Sequence, residues 1–337
     1  MLRWTAAAAI ATLFTLNVLA EERDLPEIDL LVFGDAYWFA GSHDPAIEGQ
    51  NGFWLRRVYL TFDHDLGKRL STRLRFEANH PGDFMPDDQL ESFVKDVYLK
   101  WKGDRHEATL GISPTPAFDI LETAWWGYRV VEKTPLDLQK MASSRDLGVA
   151  VKGKIAGNDA IRYRAMLGNG SSIGTETNEG KKVMGAVTFH PHEELLFDLY
   201  ADFENRPGPT NRTTFQFFGM YRTEGGRVGL QYAHQDRDAD PDLDLLSLFG
   251  VLDLGEKITL LGRVDRTLDP NPAGDTIAYL PFDPTAEATL IIAGVDFKVH
   301  PKVSFIPNVE AVLYDGQGGA PDPDNDLVGR VTFVFQY

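Results

Sequence analysis

Leu327-Val328-Gly329-Arg330-Val331-Thr332-Phe333-Val334-Phe335-Gln336-Tyr337 closes the chain. Side chains alternate sides along an extended strand, so Leu327, Gly329, Val331, Phe333, Phe335 and Tyr337 fall on one face. Arg330, Thr332 and Gln336 fall on the other. In a soluble sheet the oily face would be the core. Here the same two-faced pattern recurs along the chain with connections that alternate in length, so the oily face is read as turned towards lipid.

Working back from that strand, sixteen strand candidates are legible. Their short connections are Asp65-Leu66-Gly67-Lys68, Lys102-Gly103-Asp104-Arg105, Ala156-Gly157-Asn158-Asp159, His190-Pro191-His192-Glu193, Glu224-Gly225-Gly226, Gly255-Glu256 and His300-Pro301-Lys302. Each carries Gly, Asn, Asp or Pro, which tolerate positive φ or fix it. Long loops rich in Gly, Pro and Asp separate them, the longest at 114–145. Greek-key sandwiches have little reason to alternate so evenly. The expectation is an all-β fold: a transmembrane antiparallel β-barrel of sixteen strands with short periplasmic turns and long external loops.

The two faces ask for two environments. Leu70, Thr72, Leu74, Phe76 and Ala78 alternate with Ser71, Arg73, Arg75, Glu77 and Asn79. Leu195, Phe197, Leu199, Ala201 and Phe203 likewise oppose Asp198, Tyr200, Asp202 and Glu204. Unpaired charges such as Arg73, Arg75, Arg162 and Arg164 cost several kcal/mol each in a dry core, which assigns them to a watery lumen. A barrel of this width cannot be filled by wall side chains alone. Trp38, Trp54, Phe62, Trp101, Phe203, Tyr221, Phe335 and Tyr337 near strand ends fit two interfacial aromatic girdles.

Cations assigned to the lumen cluster early: Arg57, Arg73, Arg75, Lys100, Lys152, Lys154, Arg162 and Arg164. Acids fall later, at Asp198, Asp202, Glu204, Asp253, Asp265 and Glu310. Closing the sheet would set a basic wall against a partly acidic one, giving a transverse field with a modest ion bias.

Residues 1–20 read as a signal peptide: Arg3, an apolar run, then Val18-Leu19-Ala20 as a cleavage site near Ala20. Residues 21–337 read as a single barrel domain. Losing Arg3 moves the formal net charge one unit, from −17 to −18. There is no cysteine, so no disulfide supports the fold. Such acidity argues against nucleic acid as a partner.

Loop 114–145 is the expected constriction. It holds Trp125, Trp126 and Tyr128 with Arg129, Glu132, Lys133, Asp137, Lys140 and Arg145. Aromatics in that number need a surface to pack on, and the inner barrel wall supplies one.

Three stretches carry a family resemblance: Phe53-Trp54-Leu55-Arg56-Arg57-Val58-Tyr59-Leu60 with the strand 70–76; Val97-Tyr98-Leu99 with Leu110-Gly111-Ile112-Ser113-Pro114; and Arg145-Asp146-Leu147-Gly148-Val149. Through them the chain resembles the phosphate-selective porin O/P family of bacterial outer-membrane porins. The terminal aromatic Tyr337 resembles the C-terminal assembly signal of outer-membrane proteins. The resemblance implies a homotrimeric channel in the bacterial outer membrane, surrounded by lipid and lipopolysaccharide, that passes anions such as phosphate through a lysine- and arginine-rich constriction. Loop 114–145 departs from that pattern in being nearly charge-balanced.

No nucleophile motif, phosphate loop or nucleotide fingerprint is legible, and no cofactor or metal set is expected. His190 and His192 read as turn residues, and the acidic run at 236–242 lacks the glycine and glutamate of an EF-hand. The reading is a porin giving passive diffusion of small hydrophilic solutes or ions, without catalysis. The alternative within this class is a general non-selective porin; rivals from other classes are a barrel enzyme, which needs a Ser/His pair on its exterior, and a non-channel binding or adhesion protein.

Overall fold

The computed structural model describes residues 25–85, 89–155, 158–319 and 321–337. The expected signal peptide and its cleavage site lie outside the described residues. The strands are β1 (Glu27–Gly41), β2 (Asn51–Asp65), β3 (Leu70–Asn79), β4 (Glu91–Lys102), β5 (His106–Pro114), β6 (Arg145–Ile155), β7 (Asn158–Gly168) and β8 (Lys182–His192). They continue as β9 (Leu195–Glu204), β10 (Arg212–Thr223), β11 (Gly226–Asp236), β12 (Leu243–Asp253), β13 (Ile258–Thr267), β14 (Ala286–His300), β15 (Val303–Gly316) and β16 (Asp326–Gln336).

All sixteen form one closed barrel in which each strand pairs antiparallel with its sequence neighbours. β16 closes on β1 from Leu31↔Gln336 to Gly41↔Leu327. Closure leaves no sheet edge, and so no row of unpaired backbone groups, which is what hydrocarbon demands. Among the described residues no helix is long and apolar enough to cross a membrane.

The outward face follows the alternation read from sequence. Leu230, Leu248, Val264, Ile291, Leu313 and Val331 are exposed in a continuous apolar belt. Trp38, Trp101, Phe203, Tyr221, Phe335 and Tyr337 are exposed with it. Trp54 corrects the girdle assignment: it is buried inside the barrel, its ring stacked on Tyr37 at 4.0 Å.

A bulge causes that reversal. Between β1 and β2 the register passes from Phe33↔Arg57 to Asp35↔Trp54, so β2 carries one residue more than β1 there. Arg56 and Arg57, adjacent in sequence, both turn inward, Arg56 to Asp35 and Arg57 to Glu77. Gly34 sits at the close approach, where a Cβ would run into the Trp54 carbonyl. A second bulge, from Arg75↔Asp96 to Phe76↔Val94, turns Lys95 and Asp96 inward together.

The inner face departs from an aqueous bore. Along β10–β16 it presents Phe218, Phe249, Val251, Leu261, Leu290, Ile292, Ile306, Val312 and Val328, all buried. Two long loops fold in against them, L3 (115–144) with Trp125, Trp126, Val131 and Leu138, and L7 (268–285) with Ile277, Tyr279, Leu280 and Phe282. Half of the barrel therefore holds a dry core of its own.

Candidate channel constriction

L3 enters the bore through a π-helical turn, Leu121–Trp126, ended by Gly127 at φ 72°. The Arg227 guanidinium on β11 donates from Nε to the Trp125 carbonyl at 2.8 Å and from Nη2 to the Trp126 carbonyl at 2.7 Å. A cation thus satisfies carbonyls that the helix end leaves open. Trp125 packs edge-on between Phe218 and Phe249, at 4.9 and 4.8 Å. Gly229 leaves the space for it, because a Cβ there would meet both Phe249 and the Trp125 indole nitrogen.

A charged clamp fastens the middle of the loop to β1, β2, β15 and β16. Arg56 donates to the Val131 carbonyl at 2.7 Å and faces Asp35 at 3.3 Å and Glu132 at 3.5 Å. Arg330 reaches Glu310 at 2.8 Å, Glu132 at 3.8 Å and the Tyr279 carbonyl of L7 at 2.8 Å. Arg263 donates to the Lys133 carbonyl at 2.6 Å and lies over the Trp126 ring. Burial opposes ionisation of Glu132, but the two arginines prevail and its carboxyl is lowered to about 2. Burial also lowers the neighbouring Lys133 amine to about 8.

Both ends of L3 seal against the wall from β7 to β12. Phe118, Leu136 and Met141 pack with Met166, Met184 and Tyr200. Gln235 donates to the Met141 carbonyl at 2.6 Å. Asn271 of L7 donates to the Gln139 carbonyl at 3.0 Å, and Lys140 to the Thr276 carbonyl at 2.8 Å.

On the β2–β6 side the loop is held mainly by charged contacts, from Arg56 on β2 and, on β6, from Lys152 to Asp119 at 2.9 Å and Arg145 to Glu122 at 3.9 Å. There Arg57, Tyr59, Arg73, Arg75, Lys95, Tyr98 and Lys100 share the inward face through the registers Tyr59↔Glu77, Thr61↔Arg75 and Arg73↔Tyr98. Acids brace most of these cations: Arg73 is bidentate to Asp63 at 2.7 Å, Lys95 lies 3.1 Å from Glu77, and Arg75 lies 3.4 Å from Asp96. L3 faces them with Asp119, Glu122, Arg129, Lys133 and Asp137, of which Arg129 and Asp137 stand 4.0 Å apart. Beneath the loop, towards the short turns, a cavity of about 240 Å³ is lined by Arg73, Tyr98, Lys100, Asp119, Lys152 and Arg164. A second, of about 360 Å³, follows with Lys102, Arg105, Lys154 and Arg162. Lys100 and Arg162 make no ion pair with a described residue, so this stretch carries excess positive charge.

The eight cations assigned to the lumen all lie on the inward face, as the registers Lys152↔Arg164 and Lys154↔Arg162 place them. Not all of them meet water. Arg164 is buried in bonds to Asp198 at 2.8 Å, to Thr188 and to the Pro116 carbonyl. Ion pairing with Asp198, rather than solvent, satisfies its charge. The loop residues divide similarly: Arg129, Lys133 and Asp137 face the open side, Glu132 is in the clamp, and Lys140 turns to L7. Arg145 opens β6, bonded to Asp96 at 2.5 Å. Arg56, Arg227, Arg263 and Lys95 hold the arrangement together. Alternation names Arg263 as inward, while Arg56 and Lys95 owe their orientation to bulges.

No protein-family model matches the chain, and no curated protein sequence does. Solved structures match it closely in shape. It is similar to the anion-selective porin from Comamonas acidovorans, with a TM-score of 0.66 at 14% identity over 93% of this chain and 99% of that one. The outer-membrane channel DcaP of Acinetobacter baumannii gives 0.65 at 9% identity over 94% and 99%. Outer-membrane expressed OmpT of Vibrio cholerae gives 0.63 at 12% identity over 95% and 99%.

Proposed function

We propose that the chain is a diffusion channel of the bacterial outer membrane, passing small hydrophilic solutes with a preference for anions and performing no catalysis. The observation that carries this reading is the placement of L3, sealed mainly by apolar packing against β7–β16 and held on the basic β2–β6 side by charged contacts from Arg56, Arg145 and Lys152. Solutes cross between Arg57, Arg73, Arg75 and Lys95 on the wall and Glu122, Arg129, Lys133 and Asp137 on the loop. Oriented fixed charges of both signs give a transverse field, and Lys100 and Arg162 beneath it tip the balance towards anions. Phosphate is the first anion to test, given the resemblance to phosphate-selective porins. The short turns face the periplasm and the leader is removed near Ala20. Lipid and lipopolysaccharide cover the apolar belt except where copies meet in a homotrimer, and a trimer form is named for the OmpT of Vibrio cholerae.

The test is conductance of detergent-refolded protein in a planar bilayer, with reversal potential under a salt gradient and phosphate as competitor. Steps with an anion-signed reversal potential that phosphate blocks support the full reading. Steps without block leave a general porin, and a bilayer that stays silent overturns the channel in favour of a binding or adhesion barrel.

A further inference from the structure

A pocket of about 180 Å³ opens on the long-loop side of L3, between residues 140–143 and the β8–β10 wall. Met141, Met184 and Tyr200 line it and belong to the apolar seal, which separates it from the basic cavities beneath.

Its charges are unevenly satisfied. Lys182 lies 3.1 Å from Asp202 and 3.3 Å from Glu204, and Arg206 lies 3.3 Å from Glu204. Asp146 accepts backbone N–H bonds from Leu147 and Gly170, both at 2.8 Å. Two cations remain. Among the described residues Lys140 donates only to uncharged oxygens of Thr276, the carbonyl at 2.8 Å and the hydroxyl, with Asp275 acting on it at longer range. Arg212 makes no ion pair within 4.0 Å with a described residue, its buried Nε has no partner among them, and Arg206, Glu204 and Asp240 act on it from further away. One of these cations stands on the loop and the other on the wall, and both line the same recess.

We propose that this recess is a docking site for a small dicarboxylate, with one carboxylate taken by Lys140 and the other by Arg212. A guanidinium offers parallel N–H donors that match a carboxylate, and a partly enclosed site strengthens both contacts. The site deepens the anion-channel reading, since it would concentrate such solutes beside the entrance of a strongly acidic protein. Docking itself does not require conduction.

The experiment is titration calorimetry of the refolded full chain in neutral detergent at low ionic strength, with succinate, propionate and inorganic phosphate as probes. Saturable succinate binding is expected, tighter than that of propionate or phosphate, weakened about tenfold in Arg212→Gln and again in Lys140→Gln. Arg212→Lys should recover most of it, and Lys68→Gln, in the β2–β3 turn, should bind as the unaltered chain does. Absent succinate saturation overturns the site, as does binding unchanged in Lys140→Gln/Arg212→Gln. Propionate or phosphate binding as tightly as succinate overturns the two-headed ligand. Silent bilayers with succinate binding intact would sink the channel and leave the docking site standing.

Discussion

Replacing Arg56 by methionine tests the clamp that holds L3. Methionine keeps much of the stem volume but removes the donor to the Val131 carbonyl and the cation facing Asp35 and Glu132. A lost charge-assisted hydrogen bond costs about 1.5–3 kcal/mol. Stripping a buried carboxylate of its partner costs about 3–5 kcal/mol. Arg330 is a poor substitute, standing 3.8 Å from Glu132 with Glu310 already at 2.8 Å. At pH 7 the variant should therefore be about 3–5 kcal/mol less stable by urea unfolding in detergent micelles. It should also show noisier conductance, because the middle of L3 is then held only by Arg330 to Glu132 at 3.8 Å and Arg263 to the Lys133 carbonyl at 2.6 Å among the charged contacts of the clamp.

The pH dependence follows with a definite sign. The Glu132 carboxyl, lowered to about 2, contributes stability that is present above its unfolded pKa near 4.3 and lost as pH falls towards 2. In Arg56→Met most of that contribution is absent at the outset, so acid has less to remove. The deficit against the unaltered protein should shrink by about half between pH 7 and pH 3. A deficit below 1 kcal/mol at pH 7, or one that stays constant over that range, would refute the argument.

Other consequences are as concrete. Trp125→Ala empties the slot between Phe218 and Phe249 and should cost about 3–5 kcal/mol in the same unfolding assay, with a wider, fluctuating conductance. Gly34→Val places a branched side chain against the Trp54 carbonyl, so the β1–β2 bulge must shift; a loss of about 2 kcal/mol or more is expected, read from the urea midpoint. Lys133, lowered to about 8, sheds its charge between pH 7 and pH 9, so anion preference in reversal-potential measurements should fall over that interval. Lys133→Gln should remove most of that change. Arg75→Gln, at the open side, should move the reversal potential towards cations while changing stability by less than about 1 kcal/mol, since Arg75 is partly exposed and sits 3.4 Å from Asp96.

Alternation and turn chemistry alone determined the closed meander, its sixteen strands, and the inward placement of residues such as Arg73, Arg162 and Asp198. These are local properties: period two fixes which side a residue faces, and Gly, Asn, Asp and Pro fix where the chain reverses. The aromatic content of L3 likewise announced a loop that must pack. Three features were beyond that reach. Bulges are settled between two strands, so neither the joint inward turn of Arg56 and Arg57 nor the burial of Trp54 follows from β2 alone. Whether an inward arginine meets water or a carboxylate depends on partners far away in sequence, as Arg164 with Asp198 and Arg330 with Glu132 show. And the apolar inward face of β10–β16 acquires its meaning only when L3 and L7 cover it, because an oily lumen wall and a dry core share one sequence pattern until the chain that lies against them is in place.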